Sequence, residues 1–502
     1  MPGLQVTAEQ KSQQDEDLGL SARVRGAVIW RSGSQIVAQL IMWASTFLVI
    51  RLLDPHDYGL FAMTQVMLVF LNLMNGYGFA NALVRSESIT RQQIAQTFGM
   101  LILLNAGLAL AQILLAPLAA VYFRQPIVAN LLRVQALLYL ATPFIALPNA
   151  LLSRRLDFRR QAQVYLLGAI AGAVTALSCA AAGWGVWTLV AAPIALFWTQ
   201  AIGMTVIARS LMWPSFRFKG AGATFRYGSA MVLVQFFWFI QSQSDVFIAG
   251  RTLGPHDLGI YTTSLFLTQI LSSKFVPPLN DVAFAAYSRM QTRRDAIAYA
   301  FLKAVRLIML ITLPFYLGLA VTARPLVLTV LGPKWVETIS LVGLLAYAMP
   351  FMTLQILFAP ANNALGRSGV TVRNAMIGAV ILPCCFLVGI QWGTHGMAIA
   401  WLVGFPILTA ITAAMSLPVM GVTLAQLGRT ILPGLLAALA MAVLVKGVDM
   451  LLPPMLVQAR LALLVATGIA AYAGLLLLFA RPLMEEVLVL VRRQQPPAPA
   501  PV

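Results

Sequence analysis

The chain has 502 residues, of which 60% are hydrophobic and 10% charged, and its formal net charge is +18; mean hydropathy is +0.83. Soluble proteins of this size carry about 25% charged residues, so the composition excludes a water-soluble globule. The excess of basic residues lies between apolar runs, where membrane topology accounts for it better than nucleic-acid binding does. Cys179, Cys384 and Cys385 all fall inside apolar runs, which fits helix packing rather than a disulfide framework or a metal site.

In chain order, residues 1–25 form a polar segment without the charged and short apolar regions of a cleavable signal. The expectation is a cytoplasmic tail, with the first span acting as the targeting signal. Apolar runs of about 20 residues, enough to cross a hydrocarbon core, begin near Val28, Tyr58, Gln96, Val128, Gln163, Val186, Tyr227, Leu258, Lys303, Ser340, Arg373, Gly396, Thr430 and Leu461. They predict an all-α polytopic membrane protein of about 14 transmembrane helices, because backbone amides in lipid must pair within their own segment and barrel strands would be shorter and alternating. With the N-terminus inside, about 25 of the 34 basic residues face the cytoplasm, as do both termini. The proline-rich end, residues 483–502, is expected to be a cytoplasmic tail.

The chain repeats itself. Arg51–Leu60 (RLLDPHDYGL) and Arg251–Ile260 (RTLGPHDLGI) agree at six of ten positions, 200 residues apart. Pro117 and Tyr139 recur as Pro325 and Tyr347 at an offset of 208, and Asn149 as Asn363 at 214. Six spans per copy put both copies in the same orientation, so the expected architecture is two parallel six-helix lobes about a pseudo-twofold along the membrane normal, plus two C-terminal helices. The boundaries are 26–210 for the N-lobe, 211–226 for a cytoplasmic linker, 227–418 for the C-lobe and 419–482 for the last two helices. In the repeated phrase, Pro and Asp suit a helix N-terminus and the following Gly a tight connection. The histidines, His56 and His256, read as surface caps or as pH sensors; His395 reads as a loop residue.

Polar side chains within spans are costly in hydrocarbon and therefore informative. Arg31, Gln35, Gln39 and Thr46 form one helical stripe, Trp238, Gln241, Ser242 and Asp245 a second, and Thr262, Gln269, Ser273 and Asn280 a third. Amides and hydroxyls beside an aromatic face suit a sugar in a cavity between the lobes; the competing reading is hydrogen-bonded helix packing. Asp245, a carboxyl well inside a span, is a candidate for ion coupling or for neutralising an arginine. Lys274 is the matching deep cation, but their depths, about 10 Å and about 22 Å from the outer helix ends, argue against a salt bridge. Arg51, Arg251 and Arg226 are candidates for a phosphate or acidic sugar, with interfacial anchoring as the alternative for the first two. The segment WPSFRFKG before the seventh span alternates aromatic and basic residues, as an element lying on anionic lipid would. No nucleotide-binding loop, metal-ligand spacing or loop of paired carboxylates is present in the sequence, which argues against an enzyme.

RTLGPHDLGIY, DVAFAAYSRMQ, LVLTVLGPKWVETISLV and LLSRRLDFRRQA resemble the polysaccharide-transporter family, the Wzx-like lipid-linked oligosaccharide flippases of the multidrug/oligosaccharidyl-lipid/polysaccharide superfamily. The resemblance runs from about Gly26 through Phe479; one departure is Ala283–Ala285, where AFA stands for the AFP often found there. It implies a bacterial inner-membrane flippase that carries undecaprenyl-pyrophosphate-linked oligosaccharide to the periplasmic leaflet by alternating access, for exopolysaccharide, capsule or O-antigen synthesis. No catalytic residue, cofactor or metal is implied. A cationic cavity is implied for Arg31, Lys274 and Arg226, and the implied partners are the glycolipid, membrane lipids, a polysaccharide polymerase and a chain-length regulator. Three other readings stand beside it: a lipid II flippase, a drug/cation antiporter and a membrane polymerase or glycosyltransferase.

Overall fold

The computed structural model describes residues 33–74, 89–155, 157–210, 212–216, 222–291 and 293–479, with the side chains of 222–234 excepted. Arg31, both tails and the side chain of Arg226 therefore lie outside the described residues. The chain divides into two compact units, Met1–Gln235 and Phe236–Val502.

Every described element is helical. The first unit holds α1 (Gly33–Leu52), α2 (Pro55–Asn72), α3 (Arg91–Phe123), α4 (Ile127–Gln135), α5 (Leu137–Ala141), α6 (Pro143–Arg154), α7 (Phe158–Ala181) and α8 (Val186–Ala208). The helix α9 (Gly222–Thr252) runs into the second unit, followed by α10 (Pro255–Lys274), α11 (Val276–Arg289), α12 (Arg294–Val321), α13 (Ala323–Val330), α14 (Thr338–Ile356), α15 (Phe358–Ala364), α16 (Ser368–Gly389), α17 (Gly393–Met420), α18 (Leu424–Leu451) and α19 (Val457–Phe479).

Each of the fourteen predicted runs finds a helix or a string of short helices. Ten described stretches are long and apolar enough to cross a membrane, one of them, Ser368–Met420, holding two predicted passes. The predicted passes that fall short are α2, α9 and α10–α11, which carry the repeated motif or a polar stripe. Outward faces stay apolar, with Val121 and Val443 more than 70% exposed; in water this would be a liability, whereas lipid makes it the expected surface. In the second unit Ile297, Phe301, Val305 and Met309, spaced four apart on α12, are buried with Phe358, Ala438 and Met441 in one core.

Three predicted passes are interrupted: the fourth into α4, α5 and α6, the eighth into α10 and α11, and the tenth into α14 and α15, with α13 before it. Prolines in these and other passes remove further backbone donors, and neighbouring helices replace them. A proline has no N–H for the carbonyl four residues back, and in lipid that oxygen must find another donor. Pro148 deprives Phe144 of its partner, and the Thr205 hydroxyl donates to that carbonyl at 3.2 Å. Pro314 does the same to Leu310, which takes the Tyr472 hydroxyl at 2.9 Å. Pro360 frees the carbonyl of Ile356, which accepts from Asn280 Nδ2 at 3.3 Å. In all three cases a neighbouring helix repairs the break.

The repeated motif forms the same local structure twice. One helix ends at Leu52 or Thr252, and after two intervening residues the next begins with Pro55 or Pro255 at its first position. In the first copy Asp57 Oδ2 also accepts from the backbone N–H of Asp54 at 3.4 Å. The expected turn glycine is a correction: Gly59 and Gly259 lie inside α2 and α10 and are buried, so lack of a side chain serves close packing there. A second repeated turn escapes the sequence reading. Gly185 and Gly393, again 208 apart, open α8 and α17 at φ +55° and +64°, a region that side chains disfavour. The tryptophan before each, Trp184 and Trp392, is exposed, as aromatic residues at a membrane interface are.

Candidate functional site

The polar stripes divide into groups that the protein satisfies internally and groups that it leaves open. On α1, Thr46 Oγ1 donates to the carbonyl of Met42 at 2.8 Å, Gln39 is half-buried and Gln35 exposed. On α9, Trp238 is half-exposed, and Ser242 Oγ donates to its own helix at Phe239 O, 3.3 Å away. The amide of Gln241 presses on Gly378 of α16, where any Cβ would collide with it, and its Nε2 is buried without a hydrogen-bond partner among the described residues. On α10, Thr262 Oγ1 returns to Leu258 O at 2.8 Å, Gln269 is half-buried, and Ser273 and Lys274 are exposed. Asn280 is occupied by the Ile356 carbonyl described above. The open set therefore comprises Gln35, Gln39, Trp238, Gln269, Ser273 and Lys274. Arg51 and Arg251 stand exposed one residue from the ends of α1 and α9, in matching register.

Asp245 is only 2% exposed, and its partner is neither a lysine nor an arginine. The Tyr261 hydroxyl of α10 donates to Asp245 Oδ2 at 2.9 Å. The Trp401 indole N–H of α17 donates in turn to the Tyr261 oxygen at 2.7 Å. This chain of two hydrogen bonds joins α9, α10 and α17 inside the second unit. Asp245 Oδ1 and the adjacent Ser244 hydroxyl have no hydrogen-bond partner among the described residues. Trp401 itself stacks on Phe405, with ring centroids 4.8 Å apart and an interplanar angle of 14°, which fixes the indole that aims the donor.

The first unit does not duplicate this arrangement. The 200-residue offset of the repeated motif places the buried Ser45 where Asp245 stands and Phe61 where Tyr261 stands. Its buried polar contacts instead tie Gln135 Nε2 to Thr64 Oγ1 at 3.0 Å and Gln112 Nε2 to Leu132 O at 2.7 Å. Identity across the repeat also fails to preserve environment: Tyr139 is 1% exposed, whereas its counterpart Tyr347 is 43% exposed.

A further cluster went unmarked in the sequence. Asn362 Nδ2 and Asn374 Nδ2 both donate to Ser416 Oγ, at 2.9 and 3.3 Å, and Asn362 Oδ1, Asn374 Oδ1 and Thr412 Oγ1 remain without partners among the described residues. The available signal was lone polar residues in apolar runs, the same one that drew attention to Asp245.

Replacing Tyr261 with Phe leaves two buried polar groups, Asp245 Oδ2 and Trp401 Nε1, unmatched. Each such loss costs about 1–3 kcal/mol, so Tyr261→Phe is expected to destabilise the protein by about 2–6 kcal/mol, and Trp401→Phe, which orphans no further donor, by less through this network. Denaturation of the purified variants in mixed detergent micelles measures the order; equal stability of Tyr261→Phe and wild type would contradict the network.

Similarity to known proteins extends over most of the chain. Residues 48–340 match the family described as polysaccharide biosynthesis protein. The succinoglycan biosynthesis transport protein ExoT of Rhizobium meliloti is 26% identical over 460 residues, covering 89% of this chain and 91% of that one. The lipopolysaccharide biosynthesis protein WzxC of Escherichia coli K12 is 22% identical, covering 79% of this chain and 83% of its own length. Among solved structures, the lipid II flippase MurJ in an inward closed conformation superposes with a TM-score of 0.74 at 13% identity, over 91% of this chain and all of MurJ. An inward-facing multidrug MATE transporter gives 0.59 at 14% identity, over 80% of this chain and 99% of the transporter. At such identities the two structures establish a shared fold.

Proposed function

Because the chain belongs to the polysaccharide biosynthesis protein family, the Wzx-like membrane transport proteins of the superfamily that also holds MurJ and MATE, we propose that it flips an undecaprenyl-pyrophosphate-linked oligosaccharide from the cytoplasmic to the periplasmic leaflet of a bacterial inner membrane. The observation that carries this reading is the near-full-length likeness to ExoT, a succinoglycan transport protein. The open amides, hydroxyls and indole of α1, α9 and α10 support it, since sugar hydroxyls need such partners.

The physical logic is that of a divided substrate. The polyprenyl tail stays in lipid while the hydrated head crosses along polar side chains, which spares each hydroxyl a desolvation cost of several kcal/mol if left unpaired, on the order of 2–7. Lys274, with Arg31, Arg226, Arg51 and Arg251, would attract the pyrophosphate or an acidic sugar. The two units would expose the head to one side and then the other by alternating access. Asp245 is the candidate coupling residue: a buried carboxyl linked to two other helices can relay a change of charge into their packing.

Proteoliposomes containing a fluorescent polyprenyl-pyrophosphate oligosaccharide provide the test, with a membrane-impermeant reagent reporting which leaflet holds the headgroup. The expected result is protein-dependent movement with no change in the glycolipid's mass. Lengthening of the glycan would instead identify a polymerase, and transfer of lipid II in preference to the oligosaccharide would identify a peptidoglycan-precursor flippase.

A further inference from the structure

His256, Asp257 and Glu337 bring three metal-ligating groups together at one end of the second unit, with their ligand atoms within 4.8 Å of one another. We propose that this trio binds a transition-metal ion of the Zn2+ class and thereby clamps the start of α10 to the start of α14.

The local structure sets up the site. His256 and Asp257 are the second and third residues of α10, and Glu337 immediately precedes α14. His256 Nε2 already lies 3.3 Å from Glu337 Oε2, so two of the three ligands are in contact across 81 residues of sequence. Bonds of about 2.1 Å to a shared tetrahedral ion hold donors about 3.4 Å apart, so closure requires the exposed side-chain ends to approach one another by about 1.4 Å at most. One imidazole nitrogen and two carboxylates form a three-ligand set with a position left for water, which suits Zn2+ and its first-row neighbours. Ca2+, which takes six to eight oxygens, about twice what these groups offer, fits poorly. A second imidazole stands close by: His395 Nε2 is 3.0 Å from Ser340 Oγ, whose hydroxyl reaches the Glu337 carbonyl at 3.4 Å.

The two copies of the motif differ in how they use the same letters. In the first, Asp57 bonds back to the Asp54 N–H, and the Gly185 backbone packs against its carboxylate. The 208-residue offset puts Ala129 where Glu337 stands, which removes the third ligand. In the second copy Gly254 precedes the helix without a side-chain cap, and Asp257 turns toward His256 and Glu337. Packing alone does not require this divergence, since both copies form the same helix break; a ligand bound by the second copy alone would account for it.

The test uses the full-length protein in detergent with any affinity tag removed. Competition with a fluorescent zinc chelator measures Zn2+ binding, and thermal unfolding with and without Zn2+ measures its effect on the fold. The expected result is one Zn2+ per chain, weakened about tenfold or more by His256→Ala and by Glu337→Gln, with a zinc-dependent rise in Tm that both variants lose. His56→Ala and the double change Cys384→Ser/Cys385→Ser are expected to bind as wild type does. Absence of binding, equal binding by His256→Ala and Glu337→Gln, or loss through the cysteine change would each overturn the proposal. None of these readings depends on transport, so the result is independent of the flippase assignment.

Discussion

Asp245→Asn is expected to reduce gradient-driven accumulation of flipped substrate about fifty-fold at a membrane potential of 100 mV, the equivalent of losing one coupled charge worth about 2.3 kcal/mol, with protein abundance in the membrane unchanged. Asparagine is nearly isosteric with aspartate, and its amide oxygen can accept the Tyr261 hydroxyl as Asp245 Oδ2 does at 2.9 Å. Its amide nitrogen would take the place of Oδ1, which has no partner among the described residues, so no side-chain hydrogen bond of the network is broken and the link through Tyr261 to Trp401 is retained. What disappears is the ability to exchange a proton or hold a cation. Transport measured in proteoliposomes with and without an imposed ion gradient separates the two contributions: the variant should retain the slow, gradient-independent component and lose the remainder. Wild-type protein that flips at the same rate with and without every gradient would remove Asp245 from coupling. The asymmetry of the repeat sharpens the comparison, because Ser45 occupies the matching place in the first unit, and Ser45→Ala should leave gradient dependence intact.

The sequence made the helices legible because lipid imposes a simple rule. A stretch of about 20 apolar residues has few alternatives to a spanning helix, and all fourteen runs became helical. The breaks within them were less visible, because a proline predicts a missing donor without saying which neighbour will replace it. Thr205, Tyr472 and Asn280 supply those donors from 61, 162 and 76 residues away, distances over which no local pattern speaks. Asn280 illustrates the point: its spacing places it on a polar stripe, while the carbonyl of Ile356, orphaned by Pro360, accepts from its amide.

The candidate site was legible to a similar depth. Helical spacing identified Trp238, Gln241, Ser242 and Asp245 as neighbours on one helix, but a one-dimensional pattern cannot give the direction in which that face points. Gln241 and Asp245 turn inward, toward Gly378 and Tyr261, while Trp238 remains half-exposed. Asp245 stands out in the sequence because a carboxyl in an apolar run is costly; its partners Tyr261 and Trp401 do not, since aromatic residues are ordinary in membrane helices. Glu337 belongs to a turn, where a carboxylate is ordinary, and only the fold carries it to His256.

Gly396→Ala is expected to destabilise the protein by roughly 3 kcal/mol or more, the upper part of the range for forcing extra volume into a closed contact, and to impair transport as a consequence. Gly389, at the end of α16, and Gly396, in the first turn of α17, each lie against the other's carbonyl so closely that a Cβ on either would collide with it. The obstacle is backbone, which cannot swing aside as a side-chain tip does, so α16 and α17 must separate at this hairpin. Trp401 lies five residues further along α17, and its 2.7 Å hydrogen bond to Tyr261 ties that displacement to Asp245. Gly447→Ala on α18 is the matched control: a Cβ there meets nothing within 4 Å, and the gain in helix propensity, about 1 kcal/mol at most, predicts neutral to slightly increased stability. Detergent-mediated unfolding of both variants, followed by transport assays on the fraction that remains folded, distinguishes the contributions. If Gly396→Ala matched the control, the hairpin would have slack, and the position of Trp401 would have to be fixed by its stacking on Phe405 instead.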